Sequence, residues 1–334
     1  SYYSLLRSPL SPDRLVEHAA NLGYEYLALT DFESMTGVIE FYEACQSRNI
    51  HPIIGLTLRV NSAVQSEPNQ MILIAKNNKG YQNLLKIATR VSLNENTGIS
   101  LNEISSLGNE LIAILTLSEE FKRTPIDTIR SGKYDQWIVH YKTVFPEFFI
   151  GVTPSYLSND LRTWMNEKQL DLLAVPNVRY ANKKEHYTKN LLDVIRQEKK
   201  VGKVTMGELN PSDTNRKEQL LSPEEHIEEY EKYGLKEAAL KTGQLAQTIE
   251  LEIDLGKPAL PKYPDTGQLS SSEYLNELCF NKLSERIPNP DEKYKERLTY
   301  ELKIIEEMGF SDYFLIVWDI IRFAHEENIF TGSG

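Results

Sequence analysis

Hydrophobic and polar residues from position 11 to about 250 alternate between short apolar runs and stretches with helical periodicity. Ser11 followed by Pro12 is typical of a helix start, because Ser caps free backbone N–H groups and Pro has none to satisfy. Gly23 indicates the end of this first helix. The pattern predicts a helix at 80–91 and strands at 26–30, 52–55, 71–75, 111–115, 148–152 and 172–175.

The nearly continuous apolar strands predict a parallel sheet that is buried on both faces, with helices between the strands. About seven such units over about 250 residues match the size of a closed α/β barrel. An open, doubly wound sheet is the alternative. We therefore expect residues 1–250 to form one α/β domain. A polar stretch from Gly202 to Lys217 is expected to form an exposed loop. Lys199–Lys203 is expected to be a solvated loop, with contact to a DNA backbone as the alternative.

A proline-rich stretch at residues 251–264 follows this domain. Pro258, Pro261 and Pro264 cannot continue a helix, so we expect an extended linker. Residues 265–334 then read as helical, and the chain closes on a glycine-containing segment after Thr331. Because this segment leads away from a helix and Ser1 is not an initiator Met, we expect the chain to be part of a longer protein. The predicted helices here are Ser272–Arg286, Asp291–Met308 and Asp312–Glu327.

Composition narrows the classes of function. The 334 residues carry a formal net charge of -11, which makes the chain by itself a poor binder of nucleic acid, since phosphate contacts need clustered Lys and Arg. No apolar run approaches the roughly 20 residues that cross a bilayer. Cys45 and Cys279 stand far apart in the sequence and are expected to be reduced thiols, which favours a cytoplasmic protein.

The segment Asp312-Tyr313-Phe314-Leu315-Ile316-Val317-Trp318-Asp319, followed by a helix and a glycine loop, resembles the start of the palm domain in the bacterial DNA polymerase III alpha subunit family (family C, DnaE type). Upstream, an ordered set of motifs resembles that family's polymerase-and-histidinol-phosphatase (PHP) domain. These motifs are Ser1–Leu6, Leu27–Asp31, Gly37–Tyr42, Pro52–Gly55, Ala75–Leu84 and Asn177–Tyr180.

The resemblance implies a PHP-type distorted seven-stranded α/β barrel, followed by a mainly helical N-terminal part of the palm. It implies that the parent protein is a DNA-directed DNA polymerase that needs Mg²⁺, with primer-template DNA and dNTPs as substrates. Replisome subunits such as a sliding clamp or a proofreading exonuclease are the implied partners, and no membrane is implied. The family's palm carboxylates lie further along, so no catalytic residue is expected here. Gly332, Ser333 and Gly334 match the family's loop that cradles nucleotide phosphates.

PHP domains that hydrolyse phosphoesters hold several metal ions with His, Asp and Glu. The family's Thr-Asp-His motif reads Thr30-Asp31-Phe32 in this chain, and its Asp-Val-His motif ends on Arg179, a cation where a ligand should stand. We therefore expect no metal, with Asp31 capping the following helix or bonding to Arg179. The positions that correspond to metal ligands are Asp31, Phe32, Thr57, Gln70, Asn177 and Arg179.

The favoured hypothesis is the N-terminal part of a replicative polymerase with a structural, partner-binding PHP domain. An alternative is that the PHP domain is an active metal-dependent phosphoesterase or 3'-5' proofreading exonuclease. This alternative would need the family's His-x-His motif, which would fall just before Ser1, and would need Gln70 and Asn177 to act as ligands. A third possibility is a binding module that docks a separate replisome subunit.

Overall fold

The structure is a computed structural model that describes residues 1–61, 68–93, 98–116, 121, 124–154, 157–196, 218–256 and 260–332. The chain divides into two compact units, Ser1–Ile253 and Asp254–Gly334. The predicted polar loop Gly202–Lys217 and the lysine run 199–203 lie outside the described residues. Among the described helices, none is long and apolar enough to cross a membrane.

The first unit is built on a mixed sheet whose strands follow one another in chain order. Its sheet and surrounding helices confirm the predicted α/β fold, and the strands predicted from apolar runs all occur. The strands of the described sheet are β1 Tyr26–Leu29, β2 His51–Val60, β3 Asn69–Ala75, β4 Leu111–Thr116, β5 Glu147–Val152 and β6 Leu172–Ala174.

The prediction of an all-parallel sheet is wrong at β3. Strands β1 and β2 pair in parallel, as do β4 with β5 and β5 with β6, but β3 runs antiparallel to both β2 and β4. The physical reason lies in the connection, since β2 ends at Val60 and β3 begins at Asn69. A parallel crossover needs about a dozen residues or more, so this short connection can only return the chain antiparallel.

The helices begin and end close to where the sequence predicts. Ser11 caps the first helix by accepting a hydrogen bond from the Arg14 backbone N–H at 3.2 Å, and Gly23 follows its end with φ +80°. The helices of the first unit are α1 Pro12–Asn21, α2 Val38–Ser47, α3 Asn78–Leu93, α4 Leu101–Ile104, α5 Ile126–Ile129, α6 Lys133–Val144, α7 Asn159–Glu167, α8 Lys183–Arg196, α9 Pro223–Glu231 and α10 Lys236–Ala246.

Alternate residues of the strands point to opposite faces of the sheet, and both faces are buried. Leu56 and Leu73 lie in the large core, together with apolar residues of α1, α2 and α3. Ile72 and Ile112 point the other way and pack in a smaller cluster with Leu245 of α10. This double burial explains why the strands read as almost continuous apolar runs, as predicted.

The second unit is helical in its described part, as predicted, with α11 Ser271–Arg286, α12 Glu292–Glu307 and α13 Ser311–Glu326. Its small core contains Leu275, Leu302 and Leu315, one from each helix. Asp312 accepts hydrogen bonds from the Tyr263 backbone N–H at 2.7 Å and from the Ser271 hydroxyl at 2.6 Å. These bonds lower the pKa of Asp312. In its carboxylate form, this residue of the palm-like motif therefore holds the start of α13 in place.

Candidate functional site

The ends of β1 and β2 bring three of the predicted metal-ligand positions together. Phe32 pairs with Thr57 in an isolated parallel bridge, and the Thr57 backbone N–H donates to the Asp31 carbonyl at 3.0 Å. The buried Thr57 hydroxyl donates to the Thr30 carbonyl at 2.7 Å. The side-chain proton of Thr57 is therefore donated to the backbone.

Asp31 is almost fully buried, and hydroxyl groups satisfy its carboxylate. Its oxygens accept hydrogen bonds from the Ser1 hydroxyl at 2.6 Å, from the Ser4 hydroxyl at 2.7 Å and from the Ser1 amino group. The Ser4 hydroxyl in turn accepts from the Phe32 backbone N–H at 2.8 Å. Asp31 thus orders the first turn of the chain against the end of β1.

Both expectations for Asp31 are wrong. Helix α2 has Gly37 at its N-cap and no side-chain cap, so Asp31 does not cap it. The Arg179 side chain makes its bonds with other residues. The sequence could not reveal this arrangement, because the serines that bond Asp31 precede it by 27 and 30 residues.

Arg179 is the centre of a half-buried ion-pair network. Its Nε donates to the Arg7 carbonyl at 2.6 Å, and its two terminal nitrogens donate to the Asp193 carboxylate at 2.7 and 3.1 Å. One of these nitrogens also donates to Glu218 at 3.3 Å. The planar guanidinium therefore joins the first turn, α8 and the segment before α9 in one arrangement that an ammonium group could not reproduce.

Two further cations complete this network. Lys189 lies 3.1 Å from an Asp193 oxygen and 2.6 Å from a Glu218 oxygen, while Arg196 lies 3.0 Å from Asp193. Burial alone would raise the pKa of Asp193, but hydrogen bonds from Arg179 and Arg196 lower it to about 2. Asp193 is therefore held as an anion by basic side chains, which compete with any metal for its lone pairs.

Phe32, which the sequence motif predicts at the position of a ligating His, has two arginines over its ring. The Arg7 guanidinium carbon lies 3.8 Å from the ring centroid, and that of Arg59 lies at 5.4 Å. Arg59 also forms a two-bond contact with Glu33 at 2.9 and 3.0 Å. The ring face attracts guanidinium cations, which would repel a metal ion, and the ring offers no lone pair with which to ligate one.

The two remaining predicted positions, Gln70 and Asn177, are exposed. Gln70 is exposed and lies opposite Arg59 in the β2–β3 register, and its carbonyl accepts a hydrogen bond from the Thr116 hydroxyl. Asn177 is also exposed and reaches Glu218 at 3.5 Å, which is a long contact. Neither side chain is brought beside Asp31 by a hydrogen bond in the described structure.

This donor set does not fit a multinuclear metal site. Phe32 and Arg179 offer no lone pair, Thr57 donates its hydroxyl proton to a carbonyl, and the Asp31 carboxylate accepts hydrogen bonds from two serine hydroxyls. Within the part of the chain that the structure describes, no group of three or more His, Cys, Asp or Glu residues could hold an ion. We use the word cleft for the region around Asp31, Phe32, Thr57 and Arg179. We therefore derive no metal-dependent chemistry for it.

Sequence reasoning missed the residues that occupy the cleft. Arg179 in place of a ligand indicates that a carboxylate should pair with it, but its partners lie 14 and 39 positions further along. No spacing rule points to such distances. The missed residues are Arg7, Glu33, Arg59, Lys189, Asp193, Arg196 and Glu218.

The predicted nucleotide-phosphate loop is described only at its start. A Cβ atom built on Gly332 would meet nothing within 4 Å. Ser333 and Gly334 lie outside the described residues. The role of this loop stays a prediction.

The class of the first unit follows from comparison with known families. Residues 1–153 match the PHP domain family, and residues 273–334 match the family described as the bacterial DNA polymerase III alpha NTPase domain. The match to a solved amidohydrolase from Chromobacterium violaceum covers 50% of this chain and 82% of that protein, at 12% sequence identity and a TM-score of 0.36. The matched segments lie in the order that the sequence motifs predict.

The chain is similar over its whole length to bacterial DNA polymerase III alpha subunits. It is 33% identical to the DNA polymerase III subunit alpha of Bacillus subtilis over 344 residues, which cover 100% of this chain and 30% of that protein. The subunit of Halalkalibacterium halodurans is 30% identical, again with 100% and 30% covered. The chain thus spans about 30% of the length of these relatives. The resemblance predicted from the motifs is confirmed.

Proposed function

We propose that this chain is the N-terminal part of a replicative DNA-directed DNA polymerase that acts in the cytoplasm. The observation that supports this most is the similarity to polymerase subunits over 100% of the chain, with PHP and polymerase segments in one order. The parent protein would extend a primer on template DNA with dNTPs and Mg²⁺. A sliding clamp and a proofreading exonuclease are the kinds of partner that such a polymerase needs.

In this proposal the PHP domain, expected at residues 1–250, is a scaffold without phosphoesterase or exonuclease activity. The donor set supports it, because Arg179 and Phe32 stand at ligand positions and Asp193 is committed to three cations. Hydrolysis at a metal centre needs open coordination positions and deprotonated ligands that converge on one point. The cleft offers cations and an aromatic ring instead.

The second unit would begin the palm, with residues 251–264 as the linker. Helix α13 leads to Gly332, Ser333 and Gly334, which we propose contact the phosphates of the incoming nucleotide. Glycine lets backbone N–H groups approach a phosphate closely, which supports this role. Catalysis itself would need the metal-binding carboxylates that the family carries further along.

A chimera tests the proposal. Residues 1–334 of this chain would replace the corresponding region of the Bacillus subtilis subunit, and extension of a primed template would be measured with dNTPs and Mg²⁺. We expect primer extension by the chimera and none by residues 1–334 alone. The unmodified Bacillus subtilis subunit is the positive control. A folded chimera that binds primed DNA but does not extend it would contradict the proposal.

A further inference from the structure

The four residues Glu250–Ile253, which follow α10 and close the first unit, lie against it as a short strap. Leu251 and Ile253 are half-buried and pack against the large core, while Glu250 and Glu252 are exposed. This alternation is typical of an extended chain with one face on the protein and the other in water. The strap includes the first three residues of the stretch expected to be a linker, and these residues are therefore in contact with the first unit.

Three side-chain and backbone acceptors hold the strap. Its first, third and fourth N–H groups donate to the Lys76 carbonyl at 2.9 Å, to the Asn78 side-chain oxygen at 3.1 Å and to the Tyr42 hydroxyl at 3.1 Å. These acceptors come from the segment between β3 and α3, from the first residue of α3 and from α2. Two helices and a turn thus converge on four residues of chain.

Two sequence motifs that the cleft does not use supply these acceptors. Tyr42 ends the motif Gly37–Tyr42 and is 3% exposed, so its ring is fixed in the core. Asn78 belongs to the motif Ala75–Leu84, in which the preceding Asn77 caps α3 by accepting from two backbone N–H groups of its first turn at 3.0 and 3.1 Å. The two neighbouring asparagines therefore have separate tasks, and that of Asn78 is to bind the strap.

The charges beside the strap oppose its docking. Glu110, Glu250 and Glu252 line one surface depression, in which Lys79 is the basic residue. Like-charged carboxylates repel one another, and the strap has only short apolar contacts to offset this repulsion. A segment with few buried apolar contacts and exposed hydrogen bonds opens at a lower free energy than a buried strand. The strap can therefore open while the sheet stays folded.

We propose that Tyr42 and Asn78 form a docking site for the strap, and that the strap is a reversible latch that fixes where the chain leaves the first unit. When the strap is docked, the following linker starts beside α3. When it is released, four residues join the linker and lengthen its reach by up to about 14 Å. This inference does not depend on the polymerase assignment, because every contact that supports it lies within residues 1–253.

Amide hydrogen exchange of the 334-residue chain, followed by NMR at several low urea concentrations, tests the latch. The Glu252 and Ile253 amides should exchange more slowly than in an unstructured peptide, and their rates should hardly depend on urea, because opening exposes little surface. The amide of Leu73 in the central strand β3 should show a strong urea dependence. Strap amides without protection, or with the same urea dependence as Leu73, would overturn the proposal.

Two variants locate the docking site. Asn78→Ala removes the acceptor of the third N–H group at an exposed position where Ala favours the helix, and Tyr42→Phe removes a hydroxyl but keeps the buried ring. Each should speed exchange of the strap amides about fivefold, the factor that one neutral hydrogen bond contributes. The exchange of Leu73 under the same conditions shows whether a variant has destabilised the whole unit instead.

Matched controls make the same chemical changes elsewhere in the first unit. Asn159→Ala changes the exposed first residue of α7, and Tyr24→Phe removes a hydroxyl that donates to the Leu221 carbonyl at 2.8 Å. Both controls should leave exchange of the strap amides unchanged. Unchanged exchange in both docking-site variants, or an equal acceleration in the controls, would show that Tyr42 and Asn78 do not hold the strap.

Discussion

Replacing Arg179 by Met should lower the free energy of unfolding of the first unit by about 2–4 kcal/mol. The Arg179 side chain is 13% exposed and donates to Arg7, Asp193 and Glu218, which belong to three separate segments. Met fills a similar volume but leaves the Arg7 carbonyl without this donor and leaves two carboxylates to Lys189 and Arg196. The cost should therefore exceed that of any exposed ion pair.

Urea titration measures this effect, with tryptophan fluorescence in a Trp318→Phe background so that only Trp137 and Trp164 report. The matched control is Arg130→Met, which breaks an exposed pair with Glu167 and should cost at most about 1 kcal/mol. Equal losses from the Arg130 and Arg179 variants would show that the network does not hold the cleft together.

The Arg179 effect should depend on pH in a defined direction. The pKa of Asp193 is lowered to about 2 in the folded chain, so its contribution is complete above the ordinary Asp pKa and disappears as pH falls through about 2. Without Arg179, this pKa should rise back toward its ordinary value. The difference in unfolding free energy between the unmodified chain and Arg179→Met should therefore be full at pH 6 and smaller near pH 2.5.

Replacing Gly80 by Ala should destabilise the first unit by about 2–3 kcal/mol, while the same change at Gly243 should stabilise it by about 0.5–1 kcal/mol. A Cβ on Gly80 in α3 would lie 2.2 Å from the Glu110 carbonyl oxygen and 3.2 Å from the Ala75 Cα. These are backbone atoms next to β4 and β3, so the helix itself would have to move. A Cβ on Gly243 in α10 would meet nothing within 4 Å.

The two glycine variants form a matched pair, because both change Gly to Ala inside a helix. Thermal unfolding should move in opposite directions for the two proteins, since Ala favours the helix at both sites and clashes only at Gly80. Two shifts of the same sign would mean that α3 does not lie against the segment before β4. Gly80 belongs to the motif Ala75–Leu84, so the close contact also gives a physical reason for glycine in that motif.

Local signals explain why so much of the fold could be predicted from the sequence. Ser11, Pro12 and Gly23 act within one helical turn of their own positions, and the apolar strand runs reflect burial on both faces of one sheet. The antiparallel direction of β3 depends on the length of its connection to β2, which the apolar pattern of the strands does not report.

The site was harder to predict because it depends on contacts between distant segments. The motifs located Asp31, Phe32 and Arg179, but not the serines that bond Asp31 or the carboxylates that pair with Arg179. Arg7 was missed for the same reason, since its position over Phe32 exists only in the folded chain. The sequence indicates which predicted metal-ligand positions carry other residues, whereas the contacts of those residues are visible only in the folded structure.

The central claim is that basic and aromatic side chains have taken the place of the metal ligands. Measuring the metal content of the chain tests this claim most directly. The 334-residue chain, without an affinity tag that contains His, would be dialysed against buffer with Zn²⁺ and then with Mn²⁺, followed by metal-free buffer and elemental analysis. We predict far less than one ion per chain, because the described cleft offers no converging ligands. One or more tightly bound ions per chain, accompanied by Mn²⁺-dependent release of nucleotides from a DNA 3' end, would contradict the account.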